Sequence, residues 1–345
     1  MLKKIKLGNF TAFKDLEISF SPGINLFIGE NGTGKTHILK AAYAACEISK
    51  TQTAFADKLN GVFLPSGKHF GRLVKRSNKS SQGFVEVTRA LENGRSLSLR
   101  AAFSNHTSTP DKAKISGSPT EWKNHPLNAA YIPVKDMMAN APGFRSLYEE
   151  REIHFEEVYV DILRKANLPL LKGPTDKARK DLLESLQKSM SGKVVLKNEE
   201  FFLKNKYGEL EFTLLAEGFR KLGLLWVLIQ NGTLGNSSVL FWDEPETNLN
   251  PKIMRMVVGL LLELQRVGVQ IFVTTHDYVI LKEFDLQQKK TDRISFHSLF
   301  RNKDNNNEVA HHSSEHFLEI APNAIDATFG DLVQRELRKS IGGDQ

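Results

Sequence analysis

A glycine-rich segment that follows an apolar run is the first part of this chain whose residue types suggest chemistry. Residues 29–36 fit the pattern G-x-x-x-x-G-K-[ST], with an apolar run at 24–28 before them and a helical pattern after them. In such a loop the glycines let consecutive backbone N–H groups point at phosphate oxygens, and the following helix adds the positive end of its dipole. The segment predicts a nucleotide-phosphate site made of Gly29, Glu30, Asn31, Gly32, Thr33, Gly34, Lys35 and Thr36.

The last two residues of this segment carry specific chemistry. We expect Lys35 to reach the β- and γ-phosphates as a point charge. The hydroxyl of Thr36 is an oxygen ligand of the kind that Mg²⁺ prefers. A glycine-rich turn that binds nothing is the alternative, and the strand–loop–helix context argues against it.

Two carboxylates follow a second apolar run. Asp243 and Glu244 come directly after residues 239–242, which read as a buried strand. Asp243 is placed to hold Mg²⁺, directly or through water, and Glu244 to orient and deprotonate an attacking water. Acidic residues at a strand end are common, so the pair gains its meaning from the phosphate loop in the same chain.

A histidine follows the next strand pattern. Residues 270–274 read as a strand with an apolar centre, and Thr275, His276 and Asp277 come after them. A histidine just past a neighbouring core strand can hydrogen-bond the γ-phosphate and sense its loss. A surface histidine without a role is the alternative, and we favour the sensor because of its position after the second acidic strand.

These residues need a scaffold that brings strand ends together. Strands alternating with helices late in the chain indicate an α/β fold with a parallel sheet covered on both faces. Residues 104–126 are rich in polar residues and predict a long exposed loop, and 144–190 predict a short helical insertion, a lid or arm. Residues 194–196 and 209–212 look like the two strands of a hairpin. We divide the chain into 1–143, an N-terminal lobe with an antiparallel β subdomain, 144–192, the helical insertion, and 193–345, a C-terminal lobe.

Composition narrows the class of protein. The 345 residues are 40% hydrophobic and carry a formal net charge of +7, which permits nucleic-acid binding without requiring it. No apolar run approaches the length of a membrane span, and the N-terminus reads as a strand rather than a signal peptide. The single cysteine, Cys46, fits a reducing compartment, so we expect a cytoplasmic protein without a membrane partner.

The order of these motifs resembles the ABC-type ATPase heads of the RecF, SMC and OLD branch, found in many bacterial anti-phage ATPases. The resemblance rests on the phosphate loop, Glu217-Gly218 at a helix start, Asp243-Glu244-Pro245-Glu246 with Leu249 and Pro251, and Thr275-His276. The opening at 5–13 and the segment 131–137 are also similar to that branch. The resemblance implies a P-loop NTPase fold with a mixed sheet, and the use of ATP and Mg²⁺.

The resemblance further implies a head-to-tail homodimer that holds ATP between protomers. Glu217 and Gly218 match the signature segment, which binds the γ-phosphate of the ATP on the partner. Ala216 stands where a serine hydroxyl would donate, and one lost hydrogen bond to a charged group costs about 1.5–3 kcal/mol, so we expect slow hydrolysis or weak ATP-driven dimerisation. The glutamine that links Mg²⁺ to the helical lobe in this family is not identifiable, and Phe13 reads as a core residue more than as an adenine contact.

Two functions fit this reading. The first is an ATP-driven dimerising switch that controls a separate effector protein in anti-phage defence, because too few residues remain for a second catalytic domain. The alternative is a RecF-like ATPase of DNA repair that binds duplex DNA directly. The motor subunit of a membrane transporter is a third class, disfavoured by the divergent signature and the missing glutamine.

Overall fold

The computed structural model describes residues 1–151, 153–171 and 176–341 of the chain. Its strands are β1 (Leu2–Phe10), β2 (Phe13–Ser19), β3 (Ile24–Gly29), β4 (Gln82–Ala90), β5 (Ser96–Ser104), β6 (Lys114–Gly117), β7 (Ala129–Ile132), β8 (Lys193–Lys197), β9 (Glu200–Asn205), β10 (Gly208–Glu211), β11 (Val239–Asp243), β12 (Gln270–Thr274), β13 (Ile294–Asn302) and β14 (Glu308–Ser314). Its α-helices are α1 (Lys35–Glu47), α2 (Phe55–Phe63), α3 (Pro119–Asn124), α4 (Phe144–Arg151), α5 (Glu157–Ala166), α6 (Lys177–Met190), α7 (Glu217–Gln230), α8 (Pro251–Arg266), α9 (Tyr278–Gln287) and α10 (Ala324–Ile341).

A six-stranded mixed sheet organises the molecule. Its order is β14-β13-β3-β12-β11-β7, and every pair is parallel except the antiparallel edge pair β13–β14. The register sets Asp243 opposite Thr274 and Thr274 opposite Phe27. The carboxyl ends of β3, β11 and β12 therefore meet at one edge of the sheet, where ligands bind in open α/β folds. This confirms the predicted α/β fold with a mixed sheet.

Alternating side chains of the central strands build the core on both faces of this sheet. On β3, Leu26 and Ile28 face the cluster formed with α7, α8 and α9, whereas Phe27 faces the cluster formed with α1 and α2. Leu240 and Phe241 of β11 divide in the same way. A strand buried on both faces is mainly apolar, which is why these runs lack a regular polar–apolar alternation.

A five-stranded antiparallel sheet covers α1. Its order is β2-β1-β4-β5-β6. Ile5 and Leu7 of β1 are fully buried, while Lys4 and Lys6 on the other face form ion pairs with Glu17. The period of two in the sequence predicted this half-buried sheet, and the antiparallel β subdomain is confirmed.

The prediction of a long exposed loop at 104–126 is wrong. Lys114–Gly117 adds β6 to the edge of the antiparallel sheet, and α3 carries the fully buried Trp122. The indole Nε1 of Trp122 donates to the Ala45 carbonyl at 2.8 Å. A single aromatic side chain thus anchors a stretch whose remaining composition is typical of a loop.

The predicted hairpin is also wrong in its pairing. The turn at 206–207 exists, but β10 pairs with β9, with Leu210 opposite Leu203, and β8 is the third strand. The alternation of Phe201 and Leu203, both buried, was the overlooked signal.

Helices α4, α5 and α6 occupy the segment 144–190. They lie against the body, because Val160, Leu163 and Leu186 are buried in the core. Ion pairs join α5 and the residue before it to α1, from Lys40 to Glu156 at 2.6 Å and from Lys165 to Glu47 at 2.8 Å. Among the described residues, no helix is both long and apolar enough to cross a membrane.

Candidate nucleotide-binding site

The loop between β3 and α1 has a backbone that depends on its glycines. Gly29, Gly32 and Gly34 all have positive φ, at 141°, 75° and 92°. A Cβ on Gly29 would lie 2.0 Å from the Leu299 carbonyl oxygen, and one on Gly34 would lie 2.4 Å from Cζ of Phe13. Only glycine fits at these two positions, and the turn stays open for a ligand to approach the backbone.

Lys35 is folded into this loop. Its Nζ donates to the carbonyl oxygens of Gly29 at 2.7 Å and Glu30 at 3.0 Å, and the side chain is almost fully buried. Burial lowers the pKa of Lys35 to about 8, although Glu244 and Asp243 favour the charged form. A buried ammonium group held by two carbonyls inside a glycine loop is arranged to receive phosphate oxygens.

Asp243 is the centre of a buried hydrogen-bond network at the sheet edge. Its Oδ1 accepts from the hydroxyls of Thr36, at 3.0 Å, and Thr274. Its Oδ2 accepts from the hydroxyl of Tyr131 at 3.0 Å. Only 3% of Asp243 is exposed, so the carboxylate depends on these donors for its orientation.

Glu244 and His276 lie side by side at the mouth of the site. Glu244 adopts a left-handed backbone with φ of 47°, and its N–H donates to the Thr274 carbonyl at 3.2 Å. Nε2 of His276 is 3.5 Å from Oε1 of Glu244. Burial and the nearby Lys35 lower the pKa of His276, which favours the neutral imidazole at neutral pH. Left-handed backbone at a glutamate is strained, and such strain clusters at functional sites.

The role of Glu246 was not predicted from the sequence. Its Oε1 accepts from the backbone N–H of His276 at 2.8 Å and from the Thr275 hydroxyl at 2.9 Å. Its Oε2 is buried and has no hydrogen-bond partner among the residues that the structure describes, and burial raises the pKa of Glu246 to about 7. Glu246 therefore holds the histidine segment against the acidic strand.

Tyr131, Thr274 and Arg301 were missed as well. Thr274 lies opposite Asp243 in the register of two parallel strands, a signal that the sequence contained once both strands were placed. Arg301 on β13 donates to the Gly32 carbonyl at 3.1 Å. Because Arg301 is far from the phosphate loop in sequence, no local pattern predicts this contact. Phe13 is fully buried and lies under Gly34, as expected of a core residue.

The predicted signature residues form a second cluster. Glu217 and Gly218 begin α7, where Oε2 of Glu217 accepts from the Asn248 amide at 2.7 Å. A Cβ on Gly218 would lie 2.9 Å from a methyl group of Leu249. Within the described residues, no hydrogen bond or ion pair connects Glu217 or Gly218 to the phosphate loop of the same chain. The structure thus brings Lys35, Thr36, Asp243, Glu244 and His276 together and leaves Glu217 and Gly218 apart.

The residues present fit a nucleotide and a magnesium ion. Gly29 and Gly34 keep the loop backbone in a conformation that leaves no room for a side chain, and Lys35 supplies the positive charge. The hydroxyl of Thr36 and the carboxylate of Asp243 are hard oxygen donors, 3.0 Å apart, which suit Mg²⁺ and not a soft metal.

Comparisons with known proteins agree with this arrangement. Residues 65–282 match the family described as "AAA domain, putative AbiEii toxin, Type IV TA system". The DNA replication and repair protein RecF of Cytophaga hutchinsonii is 53% identical over 45 residues, 13% of this chain and 12% of that protein. RecF of Clostridium kluyveri is 35% identical over 92 residues, 27% of this chain and 21% of that protein. The matched stretches thus span about a fifth or less of these two relatives.

Solved structures of SMC heads share the fold. A head bound to the C-winged helix domain of ScpA has a TM-score of 0.59 at 14% identity, with 91% of this chain and 97% of that chain covered. A head with an extended coiled coil, bound to the C-terminal domain of ScpA from Pyrococcus furiosus, has a TM-score of 0.53 at 12% identity, with 97% and 99% covered. The family match covers more than half of the chain, so the chain belongs to this AAA family, and it is an ABC-type ATPase head of the RecF and SMC branch.

Proposed function

We propose that the protein binds ATP with Mg²⁺, hydrolyses it slowly, and uses the cycle as a dimerising switch for a separate effector. The observation that carries the proposal is the network around Asp243, which links the phosphate loop through Thr36 to the end of β12 through Thr274. A carboxylate fixed by three hydroxyl donors beside a buried lysine is a site built for a metal–phosphate complex.

Each residue at the sheet edge has a role in this proposal. Mg²⁺, when bound, neutralises charge on the phosphate oxygens. Lys35 and the loop N–H groups hold the phosphates, and Thr36 and Asp243 offer the oxygen ligands. Glu244 accepts a proton from the attacking water, and the neutral imidazole of His276, 3.5 Å from Glu244, hydrogen-bonds the γ-phosphate.

A homodimer would complete this site. Glu217 and Gly218 start a helix whose N–H groups offer an anion site, yet they lie apart from the phosphate loop of their own chain. The first position, Ala216, supplies no side-chain hydrogen bond to that helix start. We infer that the segment binds the γ-phosphate on a second protomer, with weakened contacts and slow turnover.

The effector is a separate protein in this proposal. The solved SMC head with the higher TM-score is bound to a domain of ScpA, which supports a protein partner for a head of this fold. The description of the matched family names a toxin and a TA system, which supports a role in anti-phage defence.

The variant Glu244→Gln tests the assignment of the general base. It should retain ATP binding, lower turnover by at least about 100-fold and prolong the ATP-bound dimer, because removing a general base costs about 10²–10⁴ in rate. Glu315→Gln, at an exposed position outside the site, is the control. Unchanged turnover in Glu244→Gln with ATP still bound would remove Glu244 from this role.

A second candidate is a RecF-like ATPase that binds duplex DNA. The RecF relatives and the net charge of +7 favour it, and Arg72, Arg76 and Lys79 are exposed on the segment after α2. For a protein that neutralises several phosphates, the logarithm of the binding constant falls linearly with the logarithm of the salt concentration. Duplex affinity measured against salt, with and without ATP, should be steep and ATP-dependent under this alternative. The absence of binding at low salt would eliminate it.

A further inference from the structure

The last helix, α10, lies on the body by its first turns alone. Ile325 packs against the core next to the mixed sheet, and the ring of Phe329 stacks on Tyr278 with centroids 4.0 Å apart and planes 6° apart. No α10 residue within the described part of the chain is buried. At about 1.5 Å per residue, its 18 residues extend about 27 Å. A helix of this length in water is marginal without packing.

The helix nevertheless carries a continuous apolar ridge. Phe329, Val333, Leu337 and Ile341 follow one another at intervals of four, with exposed fractions of 40%, 39%, 54% and 84%. Leu332 lies beside the ridge and is 50% exposed. Ridges of residues four apart are those that interlock in the commonest class of helix crossing. A contiguous run of exposed apolar side chains of this kind marks an interaction surface.

The ridge is symmetric about its central residue. Counting outwards from Val333, Phe329 corresponds to Leu337, so the two ridge neighbours of the central residue are both apolar. A two-fold contact requires this property, because residue i on one copy meets residue j on the other and the reverse.

The charges of α10 have the matching order. Asp326 and Asp331 lie in its first half, whereas Arg335, Arg338 and Lys339 lie in its second half, with one glutamate among them. Asp331 also forms an ion pair with Arg335 of its own helix at 3.0 Å. In an antiparallel pair the acidic half of each helix lies beside the basic half of the other. The helix dipoles also oppose each other in that arrangement, which is favourable.

We propose that α10 pairs antiparallel with α10 of a second copy of this chain, with Val333 on the two-fold axis, and that this contact forms without nucleotide. The contact is independent of the ATP-dependent dimer suggested above. It lies next to the proposed sensor, because Tyr278, on which Phe329 stacks, is two residues after His276.

Charge substitutions at the two-fold axis test the pairing. The full chain is studied without nucleotide by sedimentation velocity over a range of concentrations. Wild type should reach a dimer, and Val333→Glu and Val333→Lys should each weaken dimerisation by at least about 100-fold, because each places two like charges against one another. An equal mixture of the two variants should restore a dimer, since opposite charges then meet at the axis.

Two controls separate this contact from other causes. Thr328→Glu and Thr328→Lys make the same changes on the opposite side of α10, where they should leave the dimer intact. Lys35→Ala, which disables the phosphate loop, should also retain the dimer, so failure of the ATP switch and failure of this contact are distinguishable. Circular dichroism confirms that each variant is folded.

Three results would overturn the proposal. One is a wild-type chain that stays monomeric up to about 100 μM, a concentration at which even weak specific contacts form. Another is a dimer that survives both Val333 substitutions unchanged. The last is a pair of monomeric variants whose mixture stays monomeric, which would mean that position 333 does not meet itself.

Discussion

Tyr131 and Tyr43 offer a matched test of the Asp243 network. Both side chains are at most 1% exposed, and each hydroxyl donates to a buried aspartate, Tyr131 to Asp243 at 3.0 Å and Tyr43 to Asp161 at 2.9 Å. Changing either tyrosine to phenylalanine removes one hydrogen bond to a carboxylate, so both should lower the free energy of unfolding by about 1.5–3 kcal/mol. Only Tyr131 supports a predicted metal ligand.

The two variants should therefore differ in their requirement for magnesium. Loss of a partner that orients a metal ligand typically costs about 10–100-fold in metal affinity. We expect the Mg²⁺ concentration that half-saturates ATP hydrolysis to rise by that factor in Tyr131→Phe and to stay at the wild-type value in Tyr43→Phe. Equal shifts in the two variants, or none in Tyr131→Phe despite its lost stability, would refute the reasoning that Asp243 is a ligand positioned by Tyr131.

Two further predictions concern the phosphate loop. Gly34→Ala should weaken nucleotide binding by at least about tenfold, because its Cβ would lie 2.4 Å from the Phe13 ring. The control is Gly94→Ala, which has a φ of 81° and open space around it, so it introduces backbone strain without a clash and should bind nucleotide normally. Equal nucleotide binding by the two variants would contradict this prediction. Nucleotide affinity should also fall by up to about tenfold per pH unit above pH 8. The pKa of Lys35 is about 8 in the protein without nucleotide, and bound phosphates would raise it. Nucleotide binding above pH 8 therefore takes up a proton. Titration of wild type between pH 7.5 and 9.5 should show this slope, Lys35→Met should lack it, and a flat wild-type profile would disprove the proposed role of the charge.

The sequence predicted the part of the site that consists of motifs at strand ends. Parallel strands place their carboxyl ends at one edge, so the loop after β3 and Asp243 after β11 had to meet once both strands entered one sheet. The local patterns around Lys35, Asp243 and His276 were enough for this, because an apolar run followed by polar residues marks a buried strand and its exit. The register itself, with Asp243 opposite Thr274, came from the fold.

Contacts between distant segments were beyond sequence reasoning. Tyr131 meets Asp243 across 112 positions, and Arg301 meets Gly32 across 269. Neither contact leaves a pattern in the local sequence, because each depends on a single side chain. The prediction of a loop at 104–126 failed for a related reason, since the pairing of β6 with β5 and the buried Trp122 hold that stretch to the body. The composition of a segment is an average over its residues, so it does not reveal the few residues that decide whether the segment packs.

The segment after the acidic strand connects the two clusters of predicted site residues. The Thr247 hydroxyl donates to Oε2 of Glu244 at 3.4 Å, and the Thr247 carbonyl accepts from the buried Lys221 of α7 at 2.7 Å. One residue further, Asn248 donates to Glu217 at the start of the same helix. A rearrangement of Glu244 during hydrolysis would therefore act on the start of α7, the surface that the proposed dimer presents to the nucleotide of its partner. Because both clusters share this segment, we expect the state of one ATP site to bias the contact that completes the other.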